Sequence, residues 1–221
     1  MATLEKEIEN YLTEFQGKVP KETQDILNGA IKKLEESNIF SKALNVGNKI
    51  PEFSLSNQNK KIINIKDVVE KNKYTVLSFF EGSWSAYSNF QLLALQKIVS
   101  QLKILNATLV TICPQTQDKS LYLSEKHSLN FDILYDKNNT IAKDFGIAYT
   151  LSDEVIPIYE KLKIDIIEAN RNGTYALPLP ATYIVNKNYE IIYAFVDANH
   201  RKRCEPKTII DVLKKDIINK R

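Results

Sequence analysis

The chain is poor in the residues on which redox and metal chemistry depend. Among 221 residues there are two cysteines, Cys113 and Cys204, and two histidines, His127 and His200. The cysteines lie far apart and form no metal-type spacing, and two histidines are too few for a histidine-rich site, so no metal and no cofactor is expected. A Cys113–Cys204 disulfide would be unexpected in a reducing compartment. No apolar stretch approaches the roughly 20 residues that a membrane helix needs. The first ten residues, Met-Ala-Thr-Leu-Glu-Lys-Glu-Ile-Glu-Asn, are charged and lack the apolar centre of a signal peptide, which makes the cytoplasm the expected location. Net charge is only +3, with lysines and carboxylates interspersed, so nothing draws the chain strongly to nucleic acid or to an acidic membrane. Internal repeats and low-complexity tracts are missing as well.

What is present is the composition of a globular protein, 43% hydrophobic and 26% charged, long enough to bury a substantial core as one domain with an appendage. Residues 3 to about 44 carry helical periodicity and no strand signal. Leu4, Ile8, Tyr11, Leu12 and Phe15 share one face. Gly17 and Pro20 end that helix, and Ile26, Leu27, Ile31 and Leu34 mark a second. The pair reads as a helical hairpin, serving as a cover or as a surface for self-association into a homodimer.

The pattern then changes. Ile50–Leu55 and Lys61–Ile65 are short extended segments around the polar turn Asn57-Gln58-Asn59. Strands at Val76–Phe80, Ala107–Cys113 and Phe131–Leu134 alternate with helices over 87–104, 117–127 and 139–145. Residues 151–169 have helical spacing, with Pro157 best suited to a helix start. Strands Ala181–Val185 and Ile191–Val196 are joined by the turn-type loop Asn186-Lys187-Asn188, and a last helix begins at Glu205-Pro206. Alternating units closed by a hairpin and a terminal helix predict an α/β fold, a mixed central sheet flanked by helices. Ligand chemistry in such sheets gathers at the carboxyl ends of the strands, where residues 81–89 fall.

Those residues read Glu-Gly-Ser-Trp-Ser-Ala-Tyr-Ser-Asn. A strand, a short loop with Gly82 and Trp84, and then a helix resembles the place where the thioredoxin superfamily carries a Cys-x-x-Cys pair. Three further segments sharpen the likeness: Ala43–Leu55 with its Gly47 and Ile50-Pro51-Glu52-Phe53, Leu177–Val185 with Pro178 and Pro180, and Val196–Pro206. Taken in order, they resemble a peroxiredoxin-like member of the alkyl hydroperoxide reductase / thiol-specific antioxidant family over residues 44 to 215. The resemblance implies a thioredoxin-like fold, with residues 1–44 as an N-terminal helical extension and 45–221 as the family domain. Its chemistry would be thiol-dependent peroxide reduction, with a thioredoxin-type reductant as partner.

The family loop typically reads Arg-Gly-Gly-Trp-Cys-Pro-Tyr-Cys-Asn. Carried over, Ser85 stands at the reactive cysteine and Ser88 at the second cysteine. Ala86 replaces the proline, Ser83 the second glycine and Glu81 the arginine. Gly82, Trp84, Tyr87 and Asn89 match. Trp84 and Tyr87 are candidates for lining a substrate pocket, and Pro180, with Thr182 beside it, for the superfamily's cis-proline against the loop. The substitution is severe. Peroxide reduction needs a thiolate that becomes a sulfenic acid, and a helix N-terminus can ionise a cysteine at neutral pH. A serine hydroxyl stays protonated there and has no such oxidation state. The chain as written is therefore expected to be redox-inactive, a pseudoenzyme. The alternative is a Cys-to-Ser substituted form of a genuine thiol peroxidase. Five differing positions (81, 83, 85, 86 and 88) favour natural loss over a laboratory change at two.

Serine hydrolase chemistry would need a base and an oxyanion hole. The loop offers Glu81 but no histidine, and the plainer expectation is that Ser85 caps the following helix. Cys113, at a strand end on the same rim, reads as a displaced thiol or as a small buried hydrophobe. Cys204, beside Arg201, Lys202 and Arg203, reads as a thiol whose pKa that basic run lowers or as a plain surface thiol at a helix start. The run His200–Arg203 itself is an anion or partner site, or a structural part of its segment.

Overall fold

The computed structural model describes residues 2–219. Two helices come first, α1 (Leu4–Lys18) and α2 (Lys21–Glu36), followed by a 3-10 turn, Ile39–Lys42. Thr3 caps α1, its side chain accepting the Lys6 N–H, and Pro20 stands at the start of α2. The apolar spacing foreseen in the sequence is used: Leu4 and Ile8 are buried on α1, Leu27 and Ile31 on α2.

A small hairpin, β1 (Ser54–Ser56) with β2 (Ile62–Asn64), leads into α3 (Ile65–Lys71), β3 (Tyr74–Phe79), α4 (Ala86–Gln96) and α5 (Val99–Ile104). Then come β4 (Ala107–Cys113), α6 (Gln117–His127), β5 (Asp132–Tyr135) and α7 (Thr140–Asp144). An excursion follows, built from β6 (Ala148–Thr150), α8 (Ile156–Lys161), α9 (Ile166–Asn170) and β7 (Ala176–Pro178). The chain closes with β8 (Ala181–Asn186), β9 (Ile191–Val196) and α10 (Pro206–Asn219).

The central sheet has the order β5-β4-β3-β8-β9, with β3 parallel to β4 and antiparallel to β8. Every residue of β3 is buried, which is what a central strand covered on both faces requires. Alternation along it feeds two cores. Val76 joins Leu92, Leu95, Leu123 and Leu213 on one face, and Leu77 and Phe79 join Ile65, Ile112 and Phe145 on the other. This is the mixed α/β architecture expected of a thioredoxin-like fold. It puts the β3–α4 loop at the carboxyl end of a central strand.

Several local readings change. The helix expected over 87–104 is two, since Lys97 and Ile98 re-aim the chain; Ile98, Val99 and Leu102 thereby reach the same core as Leu92 and Leu95. Ile65 does not end a strand but opens α3, because Asn64 accepts the Lys66 N–H at 2.9 Å and caps it. Residues 151–169 form two short helices, with Pro157 in the first turn of α8 and a break at Lys163, whose φ is +59°. The strands β6 and β7 that bracket them were not foreseen, being only three residues each.

The segment after α2 is fastened beside Phe145 and Gly146. Leu44 N–H donates to the Phe145 carbonyl at 3.0 Å. Beside it, Gly146 (φ +69°) lies so close to residue 42 that a Cβ there would stand 2.0 Å from the Lys42 carbonyl oxygen. Only glycine permits both that conformation and that approach.

Candidate functional site

The loop after β3 is held from several sides. Gly82 has φ +150°, and a Cβ on it would stand 2.6 Å from the Trp84 indole nitrogen. The Ser83 N–H and hydroxyl both donate to Gln115 Oε1, at 2.7 and 2.6 Å, and its carbonyl accepts from Asn89 Nδ2 at 2.9 Å. Ser85 is then the N-cap of α4, its hydroxyl oxygen accepting the Ser88 N–H at 3.3 Å. The plainer expectation for Ser85 is met. The cap satisfies one of the helix's free N–H groups.

Beneath the two serines lies a buried ion pair. The side chains of Glu81 and Arg203 are each 1% exposed and meet at 3.3 Å. Ser88 Oγ, fully buried, donates to the same Glu81 oxygen at 3.3 Å. Burial pushes the Glu81 carboxyl above its usual range, while Arg203 and the hydroxyls of Ser85 and Ser88 pull it back. Arg203 is desolvated in turn, its pKa lowered by burial, and besides Glu81 its guanidinium donates to the carbonyls of His200 and Lys202. Glu81, which stands where the family loop has an arginine, therefore does not leave a bare negative charge on the loop. It is matched by a cation 122 residues further along the chain.

Above the loop is a cavity of about 80 Å³. Ser85, Trp84, Tyr87 and Glu81 face it from the loop, His200 and Arg201 from the closing segment, and Tyr11, Phe15 and Leu27 from the helical extension. Its aromatic walls are paired, Trp84 with Tyr159 (centroids 5.7 Å) and Tyr87 with Tyr11 (5.5 Å, edge-on). The His200 ring lies 5.7 Å from that of Tyr87. Burial and the charges of Arg201 and Arg203 drop the His200 pKa to about 3. Such an imidazole stays neutral at physiological pH and is a weak base. Among the described residues no hydrogen bond joins it to Ser85. The elements of a serine triad are thus not assembled, although a histidine is closer to the loop than the sequence suggested.

Of the expected site residues, Trp84, Ser85 and Tyr87 share the cavity, and Ser88 sits below it on Glu81. Pro180 and Thr182 do not line it; both are buried at the start of β8, where Thr182 pairs with Ser78 and Phe195. The expectation of a cis-proline at Pro180 is overturned, since the described residues contain no cis peptide. The strand β7 runs almost directly into β8 here, and the Leu179 N–H reaches the Ile147 carbonyl at 2.7 Å in an extended trans chain.

The cysteines also move from their expected roles. Cys204 is not at the surface but 4% exposed, and burial pushes its pKa to about 11 despite the basic run. Its neighbours Arg201 and Arg203 point their charges elsewhere, toward Asn28 and Glu81. Cys113 is 1% exposed with its thiol pushed to about 12, against Ser120 at 3.8 Å. Neither thiol is ionised at neutral pH. Arg203, His200 and the aromatic residues of the extension were not singled out as parts of this site, and the basic run was the signal that pointed toward the first two. Among the described residues no cluster of His, Cys, Asp or Glu has the makings of a metal site, and no helix is long and apolar enough to cross a membrane.

Comparison with known proteins agrees with this fold. A putative peroxiredoxin Bcp of Haemophilus influenzae is 30% identical over 104 residues, 47% of this chain and 66% of that protein. Peroxiredoxin Bcp of Bacillus subtilis is 24% identical over 104 residues, 47% of this chain and 65% of its own length. The matched stretch thus spans just under two thirds of each relative. Among solved structures, peroxidoxin BcpB of Mycobacterium tuberculosis superposes with a TM-score of 0.61 at 12% identity, over 78% of this chain and 97% of that one. A cysteine-to-serine mutant of PrxQ from Xylella fastidiosa gives 0.61 at 14% identity, over 79% and 98%. At such identities the likeness is one of fold. The model of the AhpC/TSA family matches residues 46–194, well over half of the chain, and on that ground the protein belongs to the AhpC/TSA family.

Proposed function

We propose that this protein is a redox-inactive member of its family, a pseudoenzyme that serves as a binding or regulatory relative without turning over peroxide. The observation that carries the reading is the buried Glu81–Arg203 pair with Ser88 on the carboxylate and Ser85 above it. A thiolate at position 85 would form next to a buried carboxylate and compete with it for the one buried guanidinium. Like charges at such range in a dry site are costly. Serines suit the place because they donate hydrogen bonds to Glu81 and carry no charge. The remaining thiols, Cys113 and Cys204, are buried and protonated and offer no substitute nucleophile.

A second reading is a thiol peroxidase, served by a thioredoxin-type reductant, in which cysteines at 85 and 88 have been replaced. The N-cap position of Ser85 favours it, since that is where a helix lowers a thiol pKa. A coupled thioredoxin–NADPH peroxide assay separates the two. The chain as written is expected to give no turnover, and Ser85→Cys/Ser88→Cys to remain at background, with the thiol introduced at position 85 still protonated at pH 7 by iodoacetamide titration. Peroxidase activity in the double variant alone would establish a competent scaffold and overturn the loop's release from redox duty. A cytoplasmic location and self-association through the helical extension (residues 1–44, against a family domain of 45–221) belong to this proposal. Sedimentation of the full chain beside a Tyr11→Ala/Phe15→Ala variant tests the latter.

A further inference from the structure

Under α2 lies a second cavity, of about 190 Å³, that adjoins the one above the loop and shares Leu27, Tyr159 and His200 with it. Its walls are largely apolar. Leu27 and Ile31 contribute from α2, Leu151 and Val155 from the β6–α8 excursion, and Tyr149 from β6. His200, half-buried, also lines it, and its side chain makes no hydrogen bond among the described residues; the bond at this residue is to its backbone carbonyl, from Arg203. An imidazole held neutral and making no other hydrogen bond offers an acceptor nitrogen to a hydroxyl inside an otherwise apolar chamber.

Size and charge select the occupant. A dry cavity of about 150 Å³ is enough to hold a benzene ring, so this chamber holds a single ring with one small substituent. The wall offers no unpaired charge to match an ion. His200 is neutral, Lys33 is held by Glu154 at 2.9 Å, and Arg201 is turned to Asn28. Next door, Glu81 and Arg203 are matched to each other and offer no free charge either.

We propose that this chamber is a binding site for a small uncharged single-ring molecule bearing a hydroxyl, of the phenol class. The ring lies among Leu27, Ile31 and Val155, and the hydroxyl bonds to the His200 imidazole. The site is built in large part by the helical extension, and it does not depend on whether positions 85 and 88 take part in peroxide chemistry.

The chain's single tryptophan, Trp84, packs on Tyr159, which lines the chamber, so its fluorescence reports occupancy. Phenol titrated into the full chain is expected to give a saturable change with half-saturation near or below about 1 mM, and NMR shifts centred on Ile31, Val155 and His200. Benzoate and benzylammonium should bind at least about tenfold more weakly. His200→Leu should weaken phenol about tenfold while leaving toluene unchanged, the loss of one hydrogen bond. Ile31→Trp, or Val155→Phe should the first fail to fold by circular dichroism, should abolish binding by filling the space. The site is overturned if phenol gives no saturable change up to about 10 mM, if benzoate or benzylammonium binds as well as phenol, or if the filled variants still bind. Equal weakening of phenol and toluene by His200→Leu overturns the role given to the imidazole.

Discussion

Two of the ion pairs that tie distant parts of this chain together do opposite things. Lys33–Glu154 joins α2 to the excursion before α8 at the surface, with side chains 68% and 39% exposed. Glu81–Arg203 joins the functional loop to the segment before α10 with both side chains 1% exposed. Water solvates the outer pair whether or not it forms, so either residue can be lost cheaply. The inner pair has given up its water, so removing one member strands the other. The difference teaches that Glu81 is not a passive replacement within the loop. It commits Arg203, and through Ser88 and Ser85 it commits the helix start.

The contrast predicts a graded series. Arg203→Ala should be the most damaging, lowering the unfolding free energy by about 3–5 kcal/mol in urea titration, because a buried carboxylate is left alone. A loss under about 1 kcal/mol there would mean that Glu81 is protonated or that water reaches it. Ser88→Ala, which removes a donor to the same carboxylate, should cost about 1.5–3 kcal/mol. His200 adds a dependence on pH. Its folded pKa is depressed to about 3, below its ordinary value of 6.5, so its contribution is complete above pH 6.5. As pH falls from there toward 3 the unfolded chain takes up a proton that the folded one refuses, and stability declines by no more than about 1.4 kcal/mol per pH unit. Thermal melts between about pH 7 and 4.5 should show this decline, and His200→Leu should flatten it. Last comes Lys33→Ala, expected to change stability by less than about 1 kcal/mol, with the effect vanishing in added salt. A cost as large as that of Arg203→Ala would erase the distinction between the two pairs.

Much of the frame was legible because it is written locally. Short apolar runs set between helical segments or turn residues marked β3, β4, β8 and β9, the Gly82–Trp84 loop stood between strand and helix, and Ser85 fell where a cap belongs. What escaped the sequence reading depends on distance or on very short segments. Arg203 looked like part of a surface basic run, since nothing in its neighbourhood says that it turns inward to a carboxylate 122 residues away. The same inward turn explains why Cys204 is buried rather than activated. Three-residue strands such as β6 and β7 carry too little alternation to be seen, and the bend at Lys97–Ile98 is hidden because both halves of the helix serve one core. The trans Pro180 is a third kind of miss. A cis bond there follows only from likeness to other chains, and here the short passage from β7 to β8 fixes an extended backbone instead.

Gly146 sets where this protein can be divided. Because the backbone at residue 42 is pressed against it, and Leu44 is hydrogen-bonded to Phe145, the end of the extension is already part of the domain's surface. A shortened chain starting at residue 45 would uncover that groove and leave the Phe145 carbonyl without its partner. A chain starting near residue 39 would keep it closed. For anyone cutting the helices away to study the loop alone, the safe place to cut lies several residues before the point at which the sequence pattern changes.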